Sequence, residues 1–328
     1  LAHMDVASDC RGEGVRPIVH KNYDGGELCL PSGLKITPEE NPELLKCLGE
    51  TIITSDGTTL LGADDKAGIA EIMTMIEILM KSPGIKHPEL RICFTPDEEI
   101  GKGVDKIDMK KLDADFGFTV DGGFPCELNY ENFDAYNGKI TFKGISFHPG
   151  AAKGKMVNAV RYGGMFIDML PHSHSPENTS MREPFIHPLI ARGDVSEFTV
   201  DLIIRGFSLD DIERQKKMIM SIIDHIKSVE PRIICNVNIK ESYRNMADII
   251  SKNGFILDSL LEAGRKLGLD PYFNPIRGGT DGARLSYMGL PCPNIFTGGV
   301  NFHSPKEWIS HEKMALTTAF LLEIVQNI

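Results

Sequence analysis

Apolar residues recur along this chain with the spacings of helices and strands. Residues 67–81, AGIAEIMTMIEILMK, are predicted to form a buried helix, because their apolar side chains fall on one broad stripe. That stripe consists of Ile69, Ile72, Met73, Ile76, Leu79 and Met80. Short apolar runs at 89–95 and 116–120 are predicted strands. Strands that alternate with helices favour an α/β layer with a mainly parallel sheet.

The middle of the chain has a different order of predicted elements. They are a strand at 135–144, a helix near 155–170, strands near 187–193 and at 198–207, a helix at 208–229 and a strand at 232–242. The second helix opens with Ser208 and Asp211 in the spacing of a capping box. This β-α-β-β-α-β order indicates a small open-faced sandwich inserted into the α/β layer.

The α/β character returns after about residue 249, with helices predicted at about 254–267 and 311–327. With 328 residues the chain is long for one domain, so we expect two. We therefore interpret residues 1–132 and 249–328 as one domain, and residues 133–248 as a second, inserted domain.

Composition and charge exclude several classes of protein. A net charge of −11 argues against a basic surface for nucleic acid. No apolar run approaches 18 residues, so we expect no transmembrane helix. The seven cysteines are scattered and never form a C-x-x-C pair, which argues against a disulfide framework and a thiolate zinc site. This use of cysteine favours the reducing cytoplasm.

Three acidic clusters directly follow apolar segments. They are Asp64 and Asp65 in LLGADDKAG, Asp97, Glu98 and Glu99 in FTPDEEIGKG, and Asp121 in FTVDGG. Any one of them alone is explained equally well as a helix cap or a turn. In open parallel sheets, however, ligands bind beyond the carboxyl ends of the strands, and carboxylates that converge there repel one another without a cation. The three clusters together therefore favour a metal site.

Two histidines would complete such a site, His3 in AHMD and His303 in FTGGVNFH. Imidazole and carboxylate ligands suit Zn²⁺ or another divalent transition metal. Two histidines with three or four carboxylates exceed the needs of one tetrahedral ion. They predict a pair of ions about 3.5–4 Å apart that share one carboxylate, as in two-metal hydrolases.

The start of the chain, LAHMDVASD, has two interpretations. The dipeptide HM is a common remnant of expression vectors, which would make Met4 the first native residue. Alternatively, His3 and Asp5 form a His-x-Asp pair in which the carboxylate orients a metal-binding imidazole. Taken alone, the segment favours the expression remnant.

Seven segments in a fixed order carry a family resemblance. They are AHMD, LLGADDKAGIAEIMT, FTPDEEIGKG, TVDGG, FHPGAAKGKMVNA, PIRGGTDGA and GLPCPNIFTGGVNFH. Together they closely resemble the tripeptide aminopeptidases of the M20 metallopeptidase clan, the peptidase T family, over essentially the whole chain. The resemblance implies a zinc-peptidase-like catalytic domain at 1–132 and 249–328, and an inserted lid and dimerisation domain at 133–248. It also implies that His3 is native and that the family's chain extends upstream, so part of the catalytic domain is expected to be missing here.

The resemblance further implies roles for individual residues. One zinc ion is bound by His3 and Asp121, the other by His303 and Glu99, and Asp64 bridges them. The Asp64–Asp65 peptide bond is often cis in this clan. Glu98 is the general base, and Asp5 supports His3. Val6 stands where the family usually has Thr, and we expect a mild effect because that hydroxyl is not a metal ligand.

Three residues of the inserted domain, together with Arg277 of the catalytic domain, are candidates for contact with the substrate. The resemblance implies that His148, in SFHPGAAKG, acts over the metal site as an oxyanion partner, whereas a lone histidine is more often a surface residue. Arg205 and Arg277 are candidates for the carboxylate of a small peptide, because arginine binds carboxylates bidentately. A solvated strand end and a tight turn are the alternatives for these two. Asn158 is a further candidate for substrate binding.

The sequence thus predicts a cytoplasmic di-zinc aminopeptidase that acts on tripeptides, with Mn²⁺ or Co²⁺ as alternative metals. A homodimer through the inserted domain is expected from the clan. One alternative is another M20-type amidohydrolase: a dipeptidase, a carboxypeptidase or an N-acyl amino acid deacylase. A metal-binding protein without catalysis is the second alternative, and Glu98 argues against it because a binder does not need a general base.

Overall fold

The computed structural model describes residues 1–328, and their contacts divide the chain into two units. The first unit comprises Leu1–Tyr130, Met246–Asn274 and Thr280–Ile328, and the second comprises Glu131–Asn245 and Pro275–Gly279. Both units mix helices with strands, as the α/β prediction requires. None of the helices combines the length and the apolar character that crossing a bilayer requires.

The N-terminal part of the first unit is rich in short strands. In chain order it contains β1 (Ala2–His3), β2 (Ile18–His20), β3 (Leu28–Cys29), β4 (Lys35–Ile36), β5 (Ile52–Thr54), helix α1 (Ala63–Lys81), β6 (Phe94–Thr95), helix α2 (Met109–Leu112), β7 (Thr119–Gly122) and β8 (Glu127–Asn129). The strand predicted at 89–95 is therefore reduced to its last two residues, and the one at 116–120 is shifted toward its carboxyl end.

Helix α1 buries a narrower stripe than the sequence predicts. Ile72, Met75 and Leu79 are buried, whereas Met73 is 49% and Met80 80% exposed. The prediction that Met73 and Met80 belong to the buried stripe is wrong. At about 100° per residue these two side chains lie roughly a third of a turn away from the line through 72, 75 and 79, so they reach solvent.

The second unit has the predicted β-α-β-β-α-β order. Its elements are β9 (Asp134–Lys143), α3 (Ala159–Met169), β10 (Phe185–Gly193), β11 (Glu197–Gly206), α4 (Leu209–Val229) and β12 (Ile234–Tyr243). The strands form one antiparallel sheet in the order β10-β11-β9-β12. Apolar side chains from β9, β11 and both helices form its core, among them Phe142, Val200, Phe166 and Ile223.

The chain then returns to the first unit. The remaining elements are α5 (Ala247–Ile250), α6 (Gly254–Lys266), β13 (Tyr272–Phe273), α7 (Asp281–Tyr287), β14 (Asn294–Phe296), β15 (Gly299–Val300), β16 (Trp308–Ser310) and α8 (His311–Asn327). Helices α1, α6 and α8 bury their apolar faces together with β7, β8 and β14.

The sheets of the first unit are mixed. Pairing is parallel between β1 and β6, between β7 and β14, and between β8 and β13. It is antiparallel between β8 and β14 and throughout the sheet β15-β16-β5-β2. A backbone hydrogen bond of 2.8 Å from Val120 N to Leu1 O also joins β7 to the segment of β1. Parallel pairing is thus concentrated around β1, β6 and β7, whose carboxyl ends carry the predicted ligands.

Candidate metal centre

The predicted ligands and the predicted base Glu98 come from five segments of the first unit. His3 ends β1, Asp121 lies in β7, and Glu98 and Glu99 follow β6. Because β1 lies parallel to β6 and bonded to β7, these side chains share one edge, as the rule for open parallel sheets predicts. The other two are Asp64, in the first turn of α1, and His303, after β15.

Asp64 lies between the two histidines. Its Oδ1 is 2.9 Å from His3 Nε2, and its Oδ2 is 3.2 Å from His303 Nε2. On the first side, Asp121 Oδ1 is 3.5 Å from His3 Nε2, and on the second, Glu99 Oε2 is 3.2 Å from His303 Nε2. The site therefore consists of two groups that share one carboxylate, each with ligand atoms within 4.8 Å of one another.

This donor set fits a pair of divalent cations. Each group offers one imidazole and two carboxylates, which are ligands that Zn²⁺ binds in proteins. Glu99 Oε1 is buried without a hydrogen-bond partner, and a cation is the group that such an oxygen lacks. Three protein ligands for an ion would leave a coordination position open, as catalytic sites require for water or substrate.

The pKa values of the carboxylates in the centre also indicate a site suited to cations. Burial raises the pKa of Glu98 to about 9, that of Glu99 to about 7 and that of Asp121 to about 6, and neighbouring carboxylates add to each rise. Burial also opposes ionisation of Asp64, but its hydrogen bonds with His3 and His303 hold its pKa at about 2.

The two histidines supply the positive charge among these groups. Burial disfavours the charged ring of His3, yet hydrogen bonds with Asp121 and Asp64 raise its pKa to about 12. The hydrogen bond with Asp64 raises the pKa of His303 to about 9. A metal ligand must be the neutral imidazole, so two bound metal ions would take the place of protons on these rings in compensating the same carboxylates.

Asp5 fixes the turn that carries the two glutamates. Its carboxylate accepts the backbone N–H groups of Glu98 at 3.2 Å and Glu99 at 3.1 Å. Its Oδ1 also lies 3.4 Å from His3 Nδ1. Asp5 therefore contacts both the first imidazole and the backbone between β6 and the second carboxylate ligand. The sequence suggested only the first of these contacts.

Three buried carboxylates near the centre were missed as functional candidates. Asp65 is fully buried and accepts the backbone N–H of His3 at 2.9 Å, and the Asp64–Asp65 peptide bond is cis, in agreement with the resemblance. Asp281 is 3% exposed, is hydrogen-bonded to Thr95, and lines a small recess together with Glu98. Glu307, 1% exposed, contacts the segment before Asp64.

Only weak signals in the sequence could have indicated these residues. Asp65 is adjacent to a predicted ligand, and an acidic residue next to the only tryptophan marks Glu307 as unusual. Asp281 follows two glycines and a threonine, but the feature that accommodates it lies elsewhere: a Cβ at Gly103 would overlap its carboxylate. Such contacts between distant segments leave no local pattern.

The other predicted site residues belong to the second unit, and each has contacts within it. His148 is exposed, and its Nδ1 accepts the N–H of Gly150 at 3.2 Å. Asn158 caps α3 by accepting the N–H of Val160 at 3.0 Å, which is a sufficient structural reason for asparagine there. Their predicted functional roles stay predictions.

The two arginines predicted as site residues hold backbone oxygens of the second unit. Arg205 donates to Tyr136 O at 3.2 Å and Ile204 O at 3.0 Å, and burial lowers its pKa. Arg277 donates to Met181 O at 2.9 Å and stacks its guanidinium on the ring of Phe133. Both side chains thus stabilise the second unit, and their predicted contact with a substrate stays a prediction.

Comparison of the chain with known proteins identifies its family. A Peptidase T of Bacillus licheniformis is 47% identical over 328 residues, which cover 99% of this chain and 80% of that protein. An aminopeptidase PepT of Bacillus cereus has the same fold, with a TM-score of 0.78 at 22% identity over 99% of this chain and 79% of that one. A tripeptidase of Staphylococcus aureus gives a TM-score of 0.79 at 23% identity over the same shares. Residues 56–327 match the sequence profile of Peptidase family M20/M25/M40. The chain that carries this centre therefore belongs to that family.

Proposed function

We propose that this chain is a metal-dependent exopeptidase that releases the N-terminal residue of tripeptides. The position of Asp64, with one oxygen toward His3 and the other toward His303, is the observation that carries the proposal. Membership of a peptidase family supports the reaction class. The relative named Peptidase T at 47% identity supports the choice of a short peptide with a free N-terminus.

The proposed site holds two divalent ions, with Zn²⁺ as the first choice. His3 and Asp121 would bind one, His303 and Glu99 the other, and Asp64 both. Ions held in this way lower the pKa of a bound water and polarise the scissile carbonyl. The choice of zinc is supported by the nitrogen and carboxylate donors, which also suit Mn²⁺ and Co²⁺.

Glu98 is the proposed general base. It belongs to neither group of candidate ligands, although its neighbour Glu99 belongs to one. With bound cations compensating the neighbouring carboxylates, its carboxylate would be ionised and free to take a proton from the attacking water and to deliver it to the leaving amine. Asp5 supports this role because it anchors the backbone N–H groups of both glutamates.

The second unit is proposed to supply the groups that bind the peptide. His148 would stabilise the oxyanion, and Arg205, Arg277 and Asn158 would contact the substrate. Since both arginines hold backbone carbonyls of their own unit, substrate binding requires them to exchange or share these partners. A homodimer through this unit is part of the proposal, and light scattering of the purified chain tests it.

The proposal is tested by comparing three substrates in the presence of Zn²⁺: a free tripeptide, the matching dipeptide and the N-acetylated tripeptide. We expect cleavage of the free tripeptide alone, loss of activity with a chelator, and recovery after addition of about two equivalents of metal. Cleavage of the dipeptide or the acetylated peptide instead would assign the chain to another M20-type amidohydrolase. Metal binding without any cleavage would contradict the enzymatic proposal.

A further inference from the structure

Glu307 belongs to neither group of ligands, yet it is among the most buried charged residues of the chain, with 1% exposure. Three backbone N–H groups donate to its carboxylate. Leu61 and Gly62 donate to Oε2 at 2.7 and 2.8 Å, and Asp64 donates to Oε1 at 3.0 Å. The carboxylate therefore holds the segment that ends in the shared ligand.

The position of Glu307 is itself fixed from the other side. Its N–H donates to Ser304 O at 3.2 Å, which closes a turn directly after His303. The next residue, Trp308, is fully buried in β16 and pairs with Thr54 of β5. Glu307 thus lies between the loop of one histidine ligand and a strand anchored in the core.

Two segments separated by about 240 residues in sequence are joined at this point. One carries Asp64 and the other carries His303, and these two side chains approach to 3.2 Å. Hydrogen bonds that a carboxylate accepts from backbone N–H groups are short and strong, so they fix the segment more firmly than neutral hydrogen bonds do. The separation of the two ligands depends directly on where this carboxylate stands.

We propose that Glu307 is a positioning residue that sets the distance between Asp64 and His303, and thereby the affinity for the metal ion that these two ligands share. The inference rests on the proposed function of the centre. It concerns the second group of ligands most, because His303 belongs to that group alone, whereas Asp64 serves both. Groups that orient metal ligands typically contribute a factor of about 10–100 in metal affinity.

A carboxylate is required because three N–H donors meet at one place. Its two oxygens offer about four lone pairs, and both oxygens are used. Glutamine at this position would offer one oxygen and turn an amide NH₂ toward at least one N–H group. The Glu307→Gln variant keeps the shape and volume, so it removes the acceptors without opening a cavity.

The experiment measures binding of Co²⁺ alone, without any peptide, by the visible absorption of the ion under a competing chelator. We expect wild type to bind two ions. Glu307→Gln should bind one of them, the ion of the group that contains His303, roughly 10–100-fold less tightly and change its spectrum. Glu307→Asp, which keeps the charge on a shorter side chain, should recover part of the affinity.

A matched control is available on the same segment. Glu312 accepts the backbone N–H of Thr51 at 2.8 Å but contacts neither group of ligands. Glu312→Gln should leave both affinities and the spectrum unchanged. If both variants lost affinity equally, the effect would be a general loss of structure, and the positioning role would be rejected.

Circular dichroism of the metal-free variants separates folding from positioning. If Glu307→Gln does not fold, Glu307→Asp is judged by the same criterion. Wild-type affinity and spectrum in the folded variant overturn the inference. Because no substrate is used, a chain that binds two ions and cleaves no peptide would refute the proposed function and leave this inference standing.

Discussion

The two units of this protein differ in whether their buried carboxylates have partners. In the second unit the core is apolar, and the buried carboxylate Asp134 is paired with Arg244 at 3.1 Å. In the first unit Asp65, Glu71 and Asp281 are buried, and each has a carboxylate oxygen without a hydrogen-bond partner. An unpaired buried carboxylate costs stability.

The comparison indicates that unpaired buried carboxylates lower the stability of the first unit and not that of the second. Asp65 and Asp281 lie next to the candidate metal centre. Bound cations there would compensate their buried charge. The second unit has no such centre, and its sequence follows the ordinary rules of core packing. Substitutions at these carboxylates of the first unit should therefore alter metal binding and pH dependence, whereas those in the apolar core of the second unit should alter stability alone.

The largest effect is expected from Glu98→Gln. Removal of the general base should lower turnover of a tripeptide by roughly 10²–10⁴-fold, while the variant keeps both metal ions, because its side chain is not among the candidate ligands. Turnover and metal content are measured on the same preparation. Glu77→Gln, on the exposed face of α1, is the control and should keep normal activity. A near-normal rate for Glu98→Gln would remove this residue from the proposed role.

The next effect is expected in the core of the second unit. Ile223 of α4 is fully buried, so Ile223→Ala should lower the free energy of unfolding by about 2–5 kcal/mol. Because no titratable group is removed, the loss should be the same at pH 5 and pH 8. Denaturant unfolding of the full chain measures it. Met220→Ala on the same helix, 41% exposed, should change stability by no more than about 0.5 kcal/mol.

Substitution of Glu71 in α1 should raise stability by an amount that depends on pH, whereas Ile223→Ala lowers it equally at every pH. Burial raises its pKa well above the ordinary value. A raised pKa in the folded state means that the folded chain retains the proton, so stability falls as pH rises above the pKa of the unfolded chain. Glu71→Gln removes this loss. It should raise the free energy of unfolding at pH 8 by roughly 1–3 kcal/mol and have little effect near pH 4.

The measurement for Glu71 is denaturant unfolding of the metal-free chain from pH 4 to pH 8. Glu77→Gln is again the control, because Glu77 lies on the same helix, is exposed and pairs with Lys81. The exposed pair is screened by solvent and should contribute little at any pH. A stabilisation by Glu71→Gln that is equal at both ends of the range would contradict a buried titrating carboxyl.

The same contrast explains how much the sequence could predict. Helix α4 was expected at 208–229 and runs over Leu209–Val229, because its apolar period and its capping residues are local signals. In α1 the apolar stripe is broader than the buried face, so Met73 and Met80 were assigned wrongly to the core. Burial depends on which neighbours a helix meets, and those neighbours lie far away in sequence.

The metal centre shows the same division. Asp64 and His303 were found from motifs, and the structure brings them together. Glu307 and Asp281 act through contacts with distant segments, and Glu307 lies 246 residues from Leu61. No periodicity or spacing near either residue reports such a contact. The candidate ligands are therefore easier to predict from sequence than the buried carboxylates that contact distant segments near them.

The smallest effect on stability is expected from the capping box at the start of α4 in the second unit. The Ser208 side chain accepts the N–H of Asp211 at 3.2 Å, and the Asp211 carboxylate accepts the N–H of Ser208 at 3.0 Å. Ser208→Ala removes the first bond and should cost about 1 kcal/mol of unfolding free energy, with metal affinity unchanged. Ser221, exposed on the same helix, provides the control Ser221→Ala. A change in metal affinity with Ser208→Ala would mean that the helix cap of the second unit influences the centre, and the separation of core stability in the second unit from metal binding in the first would then fail.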